Sequence, residues 1–113
     1  MRKIEAQAVQ ALATGRNFKS SNTEVRWTGP SVAQVFLHGN EIASLVATEA
    51  GRVFRLHWGD SRWYSRTTFS RQNALLLGMG IKARVHTVQH RPMITTDSFP
   101  MALHGMDTYS WRI

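Results

Sequence analysis

The chain has 113 residues, of which 42% are hydrophobic, and these values suit a single small domain over residues 1–113 with one core. It has no cysteine, which excludes disulfides, thiolate catalysis and cysteine-ligated zinc. No apolar run approaches the roughly 18 residues of a membrane helix. The basic start also lacks the apolar centre of a signal peptide, so we expect a cytoplasmic protein without a membrane partner.

The formal net charge of +7 is concentrated in one segment of the chain. Between residues 52 and 91 the only acid is Asp60, and the eight basic residues are Arg52, Arg55, Arg62, Arg66, Arg71, Lys82, Arg84 and Arg91. Arginine makes bidentate contacts to phosphate and carboxylate groups and also stacks on rings. The excess indicates an anionic partner: nucleic acid, an acidic protein or a phosphate-rich surface. The alternative is a solvated surface that only keeps the protein in solution.

The first segment, "RKIEAQAVQALATG", predicts a helix. Its apolar residues recur at helical spacing and form one stripe, which consists of Ile4, Ala8, Ala11 and Leu12. Gly15 is placed to end this helix.

Several short strands follow the first helix. They are predicted at "TEVRW", "SVAQVFLH" and "EIASLVAT", with turns at Gly29-Pro30, Gly39-Asn40 and Ala50-Gly51. The next pair, "RVFRLHW" and "RWYSR", predicts a hairpin around Gly59-Asp60.

The second half of the chain begins with a helix, "TTFSRQNALLLGMG", in which Thr68 or Ser70 can cap the start and Gly80 can close the end. "IKARVHTV" then alternates as a strand, and "PMITT" predicts one more. The tail over 97–113 has no clear period. The outline is an α+β domain: an antiparallel β-meander of about five to six strands, an N-terminal helix and a second helix near residues 69–79.

The hairpin at 52–66 has a register that separates two faces. With Gly59-Asp60 as a two-residue turn, one face is apolar and contains Phe54, Leu56, Trp58 and Trp63. A three-residue turn would mix the two faces, so the clean separation favours the shorter turn. The other face then carries Arg55, His57, Arg62, Tyr64 and Arg66.

A nucleic-acid site is predicted on this basic face. If the strand at 81–88 joins the same sheet, it adds two cations, and Arg71 would stand at the edge. Arginine contacts phosphates and tyrosine stacks on bases, which is the chemistry of single-strand binding. Arg–Tyr packing on a solvated face is the alternative. The predicted site residues are Arg55, His57, Arg62, Tyr64, Arg66, Arg71, Lys82 and Arg84.

No pattern of catalytic or metal-binding residues stands out. His86 and His90 have i, i+4 spacing, but they fall on a strand and a turn, and no third ligand is nearby. The seven carboxylates are scattered, and no nucleophile elbow is present. "GMG" lacks the lysine and hydroxyl of a phosphate loop. We therefore expect a non-enzymatic protein with no metal and no cofactor.

Three stretches together carry a resemblance: "NFKSSNTEVRW" at 17–27, "VFLHGNEIASL" at 35–45 and "WYSRTTFSRQNALL" at 63–76. They resemble a family of small proteins of tailed bacteriophages, over roughly residues 4–80. The resemblance implies a phage origin, a helix–meander–helix fold and a role in the cytoplasm of an infected bacterium. It implies no catalytic residue.

Two functions remain open at this point. The first is a nucleic-acid-binding protein that favours single strands. The second is an inhibitor or modulator of a host protein, for example a defence complex or a nucleic-acid enzyme, which would need an apolar anchor beside its charges. The aromatic and methionine residues of the tail could supply that anchor, or the contact of a homodimer.

Overall fold

The computed structural model describes residues 1–57, 65–89, 91–96 and 108–113, and the backbone alone of 100–102. Several residues of the predicted hairpin lie outside this description. They are Trp58, the Gly59-Asp60 turn, Arg62, Trp63 and Tyr64; His90 lies outside it as well.

Two helices and nine strands make up the described part of the chain, which confirms the predicted α+β class. The helices are α1 (Lys3–Thr14) and α2 (Arg66–Gly78). The strands are β1 (Phe18–Ser20), β2 (Thr23–Trp27), β3 (Val32–Leu37), β4 (Asn40–Thr48), β5 (Gly51–His57), β6 (Arg84–Val88), β7 (Arg91–Thr95), β8 (Pro100–Ala102) and β9 (Thr108–Arg112).

Six antiparallel strands form the larger sheet, in the order β1-β2-β3-β4-β5-β9. The first five follow one another along the chain, as the predicted meander requires. The sixth place belongs to the tail, because Phe54 pairs with Trp111 and Arg55 pairs with Ser110. The prediction that β5 pairs with a strand ending at Arg66 is therefore wrong, and Arg66 begins α2 instead.

The smaller sheet has three antiparallel strands in the order β6-β7-β8. Asn73 of α2 attaches it, since its side chain accepts from the Val85 N–H at 2.8 Å and donates to the Val85 carbonyl at 2.9 Å. The predicted alternation around Val85 is confirmed: Val85 is buried, whereas Lys82 and Arg84 are exposed. The expectation that this strand joins the larger sheet is wrong, because its docking partner is a helix side chain.

The core lies between the helices and one face of the six-stranded sheet. Ala8, Ala11 and Leu12 are buried on α1, as the apolar stripe predicts. Leu75 and Leu76 are buried on α2. The strands contribute alternate residues such as Val25, Val35, Leu45, Phe54 and Leu56. No helix in the described residues has the length and apolarity that spanning a membrane requires.

Two element boundaries differ slightly from the sequence expectation. The β3–β4 turn consists of His38 and Gly39, with φ of 52° and 80°, so it comes one residue earlier than predicted. Two positive φ values are the signature of a type I′ turn, which suits the twist of a hairpin. Helix α2 begins at Arg66, three residues before the predicted start at 69, and its cap is Ser65, not Thr68 or Ser70. The Ser65 hydroxyl accepts from the Thr68 N–H at 3.1 Å, so the Ser65 cap places the start of the helix earlier.

Candidate nucleic-acid interface

The face of the six-stranded sheet that points away from the helices is called the outer face here. Arg55 and His57 lie on it, because they alternate along β5 with the buried Phe54 and Leu56. Arg55 is exposed, between Ser44 of β4 and Ser110 of β9. The structure thus places two predicted site residues on one face.

His57 is held inside a polar cluster on the outer face. Its Nε2 lies 2.9 Å from the Ser44 hydroxyl and 3.4 Å from the Glu41 carboxylate, and its Nδ1 lies 3.2 Å from the Thr108 hydroxyl. Burial lowers the pKa of His57, Glu41 raises it and Arg55 lowers it, with a net result below the ordinary value. A neutral histidine with both ring nitrogens engaged is a poor phosphate ligand.

Ser44, His57 and Glu41 contain the residue types of a nucleophilic triad. In such a triad the nucleophile and the carboxylate lie at opposite ring nitrogens. Here Ser44 and Glu41 both lie at Nε2, and Ser44 is buried. The cluster therefore has the geometry of a link between β4, β5 and β9. Among the described residues, no group of three histidines or carboxylates could hold a metal ion.

Arg71 faces the interior and is only 5% exposed. Its guanidinium donates to Glu5 Oε2 at 2.7 Å and to the Thr23 hydroxyl at 3.1 Å. Burial raises the pKa of Glu5, but the hydrogen bonds from Ser70, the Arg2 backbone and Arg71 outweigh it and leave the pKa below its usual value. Arg71 thus joins α2 to α1 and β2, and it does not stand at the edge of a basic surface.

The remaining predicted residues do not gather on the outer face. Arg66 is exposed at the first position of α2. Lys82 and Arg84 are exposed, but they precede and begin the smaller sheet. Arg62 and Tyr64 lie outside the described residues. The basic segment is therefore continuous in sequence but is divided between different surfaces.

A cleft of about 750 Å³ opens beside β9, where the edge of the larger sheet meets the connection from α2 to β6. We call it the β9 cleft. Its lining includes two rings and three cations: Tyr109, Trp111, Arg52, Lys82 and Arg112.

The rings of the β9 cleft continue an aromatic series that begins in the core. Phe54 is fully buried, and its ring centroid lies 6.4 Å from that of Trp111. Trp111 in turn lies 4.7 Å from Tyr109, with the ring planes tilted by 42°. Trp111 and Tyr109 are half-buried. The packing behind Trp111 fixes the ring while leaving part of it open to the cleft.

No Asp or Glu side chain is among the described residues that line the β9 cleft. Arg52, Lys82 and Arg112 form no ion pair with another described residue. Arg112 pairs with Val53 and therefore lies diagonally across from Arg55 on the adjacent strand. Positive charge thus extends from the cleft around the β9 edge to the outer face.

The model of one protein family, described as Kyanoviridae Gp96 protein, matches residues 1–109. The chain belongs to this family. This membership confirms the expected origin in a tailed bacteriophage, and the match extends beyond the residues 4–80 that suggested it. Comparison with curated proteins and with solved structures finds no match. Family membership assigns no activity, so the function has to be argued from the site.

Sequence reasoning missed most of the β9 cleft. Tyr109, Trp111 and Arg112 belong to the tail, which had no clear period. The signal that could have found them is the run "TYSWR", where rings alternate with polar residues as in an edge strand. Arg52 belongs to the basic segment but was not assigned to the site.

Proposed function

We propose that this phage protein binds nucleic acid, with a preference for single strands, along the β9 edge of its larger sheet. The observation that carries the proposal is the β9 cleft. It brings Arg52 and Lys82, which have no ion-pair partners among the described residues, next to two half-buried rings, and Arg112 lies on the outer side of the same edge. Cationic grooves with aromatic platforms are the usual means of holding a single strand.

Electrostatics supports the same partner. Arg52, Lys82 and Arg112 approach the cleft from β5, from the α2–β6 connection and from β9. A polyanion that follows the edge can contact all three, and each contact releases condensed counterions. Binding should therefore weaken steeply as salt is raised.

The test is binding of the full chain to labelled single-stranded and double-stranded oligonucleotides between roughly 50 and 200 mM salt. The variant Arg52→Gln/Arg112→Gln should bind a single strand more weakly. It should also lower the slope of log K against log salt by about 1.4, because two phosphate contacts are lost. The matched control is Arg16→Gln/Lys19→Gln, which removes two exposed cations near β1 at the opposite edge of the sheet.

Two results would overturn the proposal. One is the absence of binding at the lowest salt. The other is an equal loss of affinity in the control and the cleft variant, which would mean that net charge alone drives binding.

A contact with a host protein is the second candidate, and one observation favours it. Leu77 near the end of α2 is 70% exposed, and Met79, two positions later, is one of the residues that line the β9 cleft. A leucine beside unpaired cations could anchor an acidic protein surface. Single exposed leucines are common, however, so this observation weighs less than the cleft. Loss of a host partner on Leu77→Asp, with oligonucleotide binding absent, would favour this second function.

A further inference from the structure

We propose that the β9 cleft holds one unpaired base against Trp111 together with its adjoining phosphate. This inference rests on the proposed function and adds what the site recognises: a base–phosphate unit, of the kind found in a single strand or in a free nucleotide. Binding by phosphate contacts alone would need no such cleft.

The size of the cleft supports a ligand of this scale. The β9 cleft has about 750 Å³ and is open to solvent, so it can accept a group of this size along its wall without enclosing it. A base with its sugar and phosphate is such a group. In a duplex the faces of the bases are covered by stacking, so a base must be unpaired or flipped out before it can enter.

The rings supply the surface for stacking. Trp111 is anchored by its pairing with Phe54 across the strands and by contact with Tyr109 on its own strand. Because these neighbours restrict the indole, stacking a base on it costs little side-chain entropy. Stacking tolerates any base, since every base has a π-face.

The cations supply the phosphate contacts at the same place. Arg52 lies opposite Ile113, whose N–H donates to the Arg52 carbonyl at 2.9 Å, so this arginine is fixed at the end of β9. Lys82 approaches from the other wall. Arg112 pairs with Val53 and alternates with Trp111 along β9, so its side chain starts from the opposite face of the same edge. Trp111, Arg52 and Lys82 thus meet at one cleft, and Arg112 lies on the other side of its edge.

The first experiment compares two single strands of equal length with the unaltered protein at low salt. One is oligo(dT), and the other is a fully abasic strand with the same phosphates. We expect the abasic strand to bind roughly 5- to 150-fold more weakly for each stacked base that is lost. Equal binding of the two strands would overturn the base site and leave the proposed function standing. Binding of neither strand would overturn both.

The second experiment locates the stacked base. Trp111→Leu should reduce the affinity for oligo(dT) toward that for the abasic strand and leave the abasic affinity unchanged. The matched control is Trp27→Leu, another half-buried tryptophan, which lies on β2 and donates to the Ala11 carbonyl at 3.3 Å. An equal loss for both strands in Trp111→Leu would contradict the base site. Circular dichroism checks the fold, and Trp111→Met, which also lacks a ring, replaces the leucine variant if that variant unfolds.

A third measurement asks whether one nucleotide is enough to occupy the site. A nucleoside monophosphate is added to the complex with oligo(dT), while inorganic phosphate serves as the control. Displacement by the nucleotide at concentrations where phosphate has no effect would identify a site for one base–phosphate unit. Equal displacement by phosphate and nucleotide would show that the base contributes nothing, which contradicts the proposal.

Discussion

The outer face of the larger sheet and the β9 cleft both carry arginine, yet their charges have different surroundings. On the outer face, Arg26 pairs with Glu24 at 3.1 Å, and Glu41 lies 3.4 Å from His57. At the β9 cleft, the described lining residues include no Asp or Glu side chain. A carboxylate beside a surface cation partly neutralises it, although such exposed pairs are weak. We therefore expect the cleft to be the better site for an anion.

Arg71 is a third case, a cation paired in the interior, and its substitution should have the largest effect on the free energy of unfolding. Arg71→Met should lower the free energy of unfolding by about 3–5 kcal/mol, because it leaves the Glu5 carboxylate buried without its cation. Urea denaturation measures this change. Glu5→Gln/Arg71→Met should recover part of the loss, since no charge remains buried. A loss below about 1 kcal/mol for the single variant would show that the pair is solvated.

The His57 cluster predicts a smaller effect on the free energy of unfolding, and this effect depends on pH. Burial lowers the pKa of folded His57 below the ordinary value of 6.5, so the unfolded chain binds a proton more readily. The contribution to stability is complete above about pH 6.5 and is lost as the pH falls toward the folded pKa. Urea denaturation at a series of pH values should show this loss in the parent protein. His57→Gln should remove the loss of stability between about pH 6.5 and the folded pKa of His57. If the variant and the parent show the same dependence of the free energy of unfolding on pH, His57 is not its source.

Arg55 gives the smallest expected effect and tests the comparison most directly. Arg55→Gln should change the affinity for a single strand less than Arg112→Gln does, because Arg55 shares its surroundings with Glu41 and His57. Oligonucleotide titrations of the two single variants at equal salt measure the difference. A larger effect at Arg55 would return the interface to the outer face.

Local patterns were sufficient to predict most of the elements. The stripe of Ala8, Ala11 and Leu12 predicted α1, and "TEVRW" predicted β2 with the bounds that the structure shows. The glycine after His38 predicted the β3–β4 hairpin to within one residue. These features depend on neighbours in sequence, through helical spacing, strand alternation and turn conformation. The α+β class and the meander followed from them.

The site was predicted less well, because its geometry depends on partners far apart in the chain. The alternation of buried and exposed residues along β5 is the same whichever strand pairs with it. Arg55 was therefore placed outward correctly, although the strand beside β5 is β9 and not the predicted strand ending at Arg66. The predicted cations were found on separate surfaces, and the rings of the cleft were not assigned to it at all.

The sequence by itself determined the helices, the strands of the meander and the excess of positive charge. Only the tertiary structure decided which of those charges can meet a ligand. Arg71 is buried because α1 presents Glu5 to it from 66 positions away, and the β9 cleft exists because the tail pairs with β5. Local pattern specifies which face of an element is apolar, whereas pairing and burial depend on competition among distant segments for the same edge and the same core.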